Sequence, residues 1–116
     1  MSFEPGVAAR TQPLRNISLN GLTNVAVHDC ALGSDAGEAV LYNINSENDG
    51  QSTLSASEGA EFERVRIETL DSIIQDRSPA IVKIDVEGAE AKVIRGGERF
   101  FEHTRPQVVF VECFDP

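Results

Sequence analysis

The chain has 116 residues, 10 Lys and Arg against 19 Asp and Glu for a net charge of −9, and 41% hydrophobic residues. That is enough for a single domain with a core, yet short for a complete doubly wound α/β enzyme. The acid excess disfavours nucleic-acid or anionic-membrane partners, no apolar run approaches the ~18–20 residues of a membrane span, and Met1-Ser2-Phe3-Glu4-Pro5 lacks the basic-then-apolar form of a secretion signal, so a cytoplasmic protein is the expectation.

In chain order, residues 7–20 carry Val7, Leu14, Ile17 and Leu19 around Pro13 and close on Asn20-Gly21, which predicts a short, imperfect helix. Residues 24–32 alternate and then turn apolar, as in a mostly buried strand. Residues 38–44 form a second strand, and 63–70 set Val65 and Ile67 against Arg64, Arg66 and Glu68, a half-exposed strand expected to pair back on 38–44. The intervening 45–59 is a polar loop rich in Gly, Ser and Asn. One or two helical turns follow at 70–74.

Residues 80–86 form the most continuous apolar run, the pattern of a fully buried parallel strand. Residues 89–102 place Ala89, Val93, Gly97 and Phe100 on one stripe of an amphipathic helix, with Gly96-Gly97 weakening its middle. Residues 107–114 give a last buried strand. Strands alternating with helices predict an α/β fold, a mostly parallel sheet flanked by helices with a β-hairpin insertion. Cys30 and Cys113 each end a β-like run, which predicts buried thiols rather than a disulfide or a zinc site.

In open α/β sheets, ligands bind at the carboxyl ends of strands. The polar residues there are Glu4, Asp29, Asp85 and Glu112. Glu4 is either a surface acid or a carboxylate placed to accept from a ribose diol. Asp85, Glu87 and Glu90 form an acidic row across a strand-to-helix turn. They read as acid/base groups, as acids complementing the helix dipole, or as oxygen ligands for a divalent cation. His28 and His103 lack ligand spacing, and no glycine-rich phosphate loop or nucleophile elbow is present.

Phe3-Glu4-Pro5, Asn20-Gly21-Leu22, Ala31-Leu32-Gly33, Thr69-Leu70-Asp71, the block Lys83-Ile84-Asp85-Val86-Glu87-Gly88-Ala89-Glu90, Ile94-Arg95-Gly96, Arg105-Pro106 and Glu112 occur in this order. Together they resemble the FkbM family of S-adenosylmethionine-dependent methyltransferases over nearly the whole chain. The resemblance implies a Rossmann-like class I methyltransferase fold, with residues 1–116 a partial domain lacking the first strand, its glycine-rich cofactor loop and the C-terminal strands. Val7 stands where the family often has a second proline.

It implies S-adenosylmethionine as cofactor and a small-molecule acceptor, with O-methylation of a sugar-like or secondary-metabolite hydroxyl. Glu4, with Pro5 beside it, would bind the cofactor ribose. Ala31 and Leu32 would flank the adenine, with Asp29 a polar contact nearby. Asp85 would lie at the methionine end and serve as base, with Glu87 and Glu90 next to it as further catalytic acids, and no metal is expected. In that topology Cys30 and Cys113 sit about four strand spacings of ~4.8 Å apart, out of disulfide reach. Vacant sheet edges would favour a homo-oligomer. The alternative is a truncated, non-catalytic remnant or pseudoenzyme that acts as a binding module.

Overall fold

A computed structural model describes residues 1–43, 52–53 and 61–113. In chain order the elements are β1 (Ser2–Phe3), α1 (Val7–Leu19), β2 (Val27–His28), β3 (Ala31–Leu32), β4 (Gly37–Asn43), β5 (Ser52–Thr53), β6 (Glu61–Glu68), α2 (Leu70–Ile73), β7 (Ile81–Ile84), α3 (Glu90–Arg95), α4 (Glu98–Thr104) and β8 (Val108–Val111). They fall into two compact units, Met1–Ala31 with Gly37–Ile67, and Leu32–Ala36 with Glu68–Pro116.

In the first unit, β1 pairs in parallel with β2, Phe3 opposite His28. Helix α1 ends as its composition foretells. Gly21 takes φ 59, its amide donates to Ser18 O at 3.2 Å, and the Leu22 amide donates to Ile17 O at 3.0 Å. This pair of hydrogen bonds to the last carbonyls needs a left-handed residue at position 21, which glycine supplies because it has no Cβ to clash. Strands β4 and β6 pair antiparallel from Gly37 opposite Ile67 to Asn43 opposite Glu61. Leu41, Val65 and Ala31 form the hairpin core, with Ala39 and Ile67 packed on it.

In the second unit, β7 and β8 pair in parallel, Ile81 opposite Val108 and Ile84 opposite Val111. Leu70, Ile84, Val93 and Phe100 are its buried apolar side chains. Thr69 caps α2, its Oγ1 accepting from the Ser72 amide at 3.2 Å.

The α/β class holds, but the sheets are small and mixed: two parallel pairs, β1–β2 and β7–β8, and a sheet ordered β3-β6-β4-β5. The strand expected over 24–32 is two strands. Val27–His28 pairs with β1, the chain bends at Asp29-Cys30, and Ala31–Leu32 joins β6. Alternation alone cannot register such a change of partner. The helix expected over 89–102 breaks at Gly96-Gly97 into α3 and α4. A Cβ on Gly96 would lie 1.9 Å from Gly33 O, so the helix surface comes closer to another backbone there than any side chain permits.

The strands expected to be fully buried are not. Ile81 is 62% exposed, and every residue of β8 is exposed. A two-stranded sheet covers neither face fully, whereas the apolar run presupposed neighbours on both sides. Cys30 is buried as expected, but Cys113 is exposed, and no disulfide joins them. Most of the loop expected over 45–59 lies outside the described residues; Ser52–Thr53 within it pairs with β4.

Candidate functional site

Glu4 stands at the end of β1, where its amide continues the ladder to His28 O at 3.0 Å. The Phe3 and His28 rings stack with centroids 4.9 Å apart and planes 22° from parallel. His28 Nε2 is buried there without a hydrogen-bond partner among the described residues. After Glu4 the chain turns through Pro5-Gly6 into α1, and three contacts hold this corner. The Arg10 guanidinium, one turn into the helix, donates to the carbonyls of Glu4 at 2.9 Å and Pro5 at 2.5 Å. The Gly6 amide donates to Glu4 Oε1 at 3.1 Å. The Val7 amide donates to both carboxylate oxygens of Glu63, at 3.1 and 3.3 Å.

Two carboxylates therefore meet at the start of α1, where amide donors and the helix dipole favour negative charge. The N-cap is Gly6, which has no side chain, so the cap comes from Glu63 on β6. Among the described residues Glu4 uses only Oε1 and leaves Oε2 open, as a carboxylate must if it is to accept from a ligand hydroxyl. Arg10 and Glu63 escaped the sequence reading. Glu63 carries a signal nonetheless, since it shares the period-2 phase of the core residues Val65 and Ile67.

The other expected cofactor residues separate by environment. Ala31 is buried in the hairpin core, and Leu32 is half-buried. Asp29 is exposed at the bend between β2 and β3, and its Oδ1 accepts from Arg66 at 3.0 Å. Pro5 is half-buried in the Glu4 corner.

The acidic row of the second unit is built locally. Beyond β7 the chain turns through Glu87 at φ 50 and Gly88 at φ 99. The Lys83 ammonium donates to Asp85 Oδ2 and lies 3.9 Å from Glu112 Oε2, bridging the ends of β7 and β8. The hydrogen bond to Asp85 raises the Lys83 pKa. Glu90 is only 8% exposed. It accepts from the Gly88 amide at 2.8 Å, a bond that lowers its pKa. Glu87 is exposed. The three acids thus face three environments, and among the described residues no three His, Cys, Asp or Glu side chains group as a metal site.

Among the described residues no helix is long and apolar enough to cross a membrane. Compared with known families, the chain matches the one described as Methyltransferase FkbM domain over residues 1–116. Its structure is similar to the crystal structure of methyltransferase FkbM from Methylobacillus flagellatus, with a TM-score of 0.58 and 22% identity over 90% of this chain. The matched region spans 23% of that protein's chain. No curated protein matches.

Proposed function

Since the chain belongs to the FkbM methyltransferase family, we propose that it serves methyl transfer from S-adenosylmethionine to a hydroxyl of a sugar-like or secondary-metabolite acceptor. The observation that carries this reading is the Glu4 corner. A carboxylate at the carboxyl end of a parallel strand keeps one oxygen open while its backbone is clamped by Arg10. Such an oxygen suits a ribose hydroxyl, as carboxylates at this position do in dinucleotide-binding folds.

The residues fit a nucleoside cofactor in kind. Glu4 would hold the ribose, with Pro5 shaping the turn; Ala31 and Leu32 would offer apolar contact to the adenine, with Asp29 at the adjoining bend. Bound S-adenosylmethionine supplies an electrophilic methyl group. Asp85 orients the acceptor hydroxyl and takes its proton. Lys83 holds the Asp85 carboxylate in place through its ammonium. Glu87 stands beside them on a positive-φ backbone, and Glu90 holds the turn through the Gly88 amide. In this reading the protein works in the cytoplasm on a small-molecule acceptor and self-associates.

Calorimetric titration with S-adenosylhomocysteine tests the reading. Saturable binding that weakens about tenfold or more in Glu4→Ala is the expected result. Binding indifferent to Glu4 would overturn the ribose role. Binding with no methyl transfer to any sugar-like hydroxyl would leave the chain a nucleoside-binding module.

A further inference from the structure

We infer that Glu63, on the hairpin, is a positioning residue for the ribose-binding carboxylate of Glu4; the inference rests on the cofactor reading above and deepens it. Glu63 is a misfit by pattern. On β6 it shares the face of Val65 and Ile67, which belong to the hairpin core, while its neighbour Phe62 is turned outward and 66% exposed. Half-buried on that face, the Glu63 carboxylate gives up part of its hydration and takes hydrogen-bond donors in its place. Glu63 finds them 56 residues away, at the Val7 amide that opens α1.

The register delivers it there. Leu41 lies opposite Glu63, and the Leu41 side chain, Glu63 Oε1 and Glu4 Oε1 all stand 3.4 Å from the point a Cβ on Gly6 would occupy.

The consequence for Glu4 is one of competition. A helix start with a glycine N-cap offers donors to whichever carboxylate is nearest, and Glu4 already holds the Gly6 amide. With Val7 vacant, the second oxygen of Glu4 would fold onto it and both oxygens would be spent on the helix. Glu63 fills that amide, and its like charge disfavours a further inward turn of Glu4. Oε2 is thereby kept for a ligand hydroxyl.

The test compares S-adenosylhomocysteine with its 2′,3′-dideoxy analogue on wild type, Glu63→Ala and Glu4→Ala, with thermal unfolding recorded in parallel. In Glu63→Ala, affinity for the ribose-bearing ligand falls about tenfold while affinity for the dideoxy analogue is unchanged. In the ligand-free protein, the Val7 amide stays protected from hydrogen exchange in Glu63→Ala and loses protection when Glu4→Ala is added. Glu63→Gln, which keeps an acceptor for Val7 but lacks the charge, shows the same diol-confined loss at about threefold, and it decides the matter if the alanine variant does not fold. A fall in melting temperature with affinity untouched, or an equal loss for both ligands, overturns the positioning role and leaves a plain helix cap. If wild type binds and responds to Glu4→Ala but not to Glu63→Ala, only this inference fails. If wild type does not bind S-adenosylhomocysteine, both readings fail together.

Discussion

Helices α1 and α4, one in each unit, both begin on a glycine with no side chain to cap them, and both borrow a carboxylate from a distant element. The Val7 amide of α1 takes Glu63. The Phe100 and Arg99 amides of α4 take Asp71, at 2.7 and 3.3 Å. The difference lies in the company each acid keeps. Asp71 is 14% exposed and answered by the Arg99 guanidinium at 3.3 Å. Burial opposes its ionisation, but the Phe100 and Arg99 amides and the Arg99 side chain outweigh that and hold its pKa below the usual carboxylate range. Glu63 has no cation among the described residues; its neighbour is another carboxylate, Glu4. A cap with its own counter-ion is a closed fixture of the fold, whereas a cap beside a second acid leaves an acceptor over, and that surplus is what a binding site requires.

The comparison breaks first at Gly96, if α3 and α4 do not depend on close backbone approach. Gly96→Ala sets a Cβ against the carbonyl of Gly33, where no side chain can yield. A loss of about 3 kcal/mol or more is expected in urea unfolding. A change under ~1 kcal/mol would mean that the two segments part freely.

Asp71→Ala leaves two amides of α4 without their acceptor and is expected to cost about 1–3 kcal/mol by the same measurement. The pH dependence sharpens this point. A carboxyl with a lowered folded pKa contributes stability in full above its unfolded pKa, near 4, and loses it as pH falls through the folded value. The Asp71 and Glu90 shifts have this sign. Wild-type stability should therefore decline as the pH falls below about 4, and Asp71→Asn should flatten the decline without abolishing it. An unchanged slope would remove Asp71 from the account.

Thr69→Ala takes an ordinary cap from α2 and should cost about 1 kcal/mol, a scale against which the borrowed caps are measured. The smallest effect belongs to Arg64 and Glu38, an ion pair at 3.9 Å with both side chains more than 70% exposed. Breaking it should change stability by at most ~0.5 kcal/mol and by less in high salt.

What the residues alone determined about this protein is what local chemistry controls. The end of α1 follows from Asn20-Gly21, since glycine alone takes that left-handed turn without cost. The hairpin of β4 and β6 follows from a strand-like segment at 38–44 and the period-2 alternation of 63–70. The acidic turn after β7 is legible because its bonds are short-range: Lys83 to Asp85 and Gly88 to Glu90, each two residues apart. Glu4 could be singled out by its place at a strand end.

The rest was decided in three dimensions. Whether residues 24–32 make one strand or two depends on which neighbours offer hydrogen bonds to each half, and a pattern carries no partner's name. The break between α3 and α4 depends on Gly33 lying against Gly96. The exposure of β7 and β8 depends on how many strands flank them, although their composition reads as interior. The joining of Glu63 to Val7 depends on hairpin register and on the path of α1 together. Dihedral preference and side-chain periodicity act over a few residues, while a contact between positions 7 and 63 exists only once the chain between them has closed.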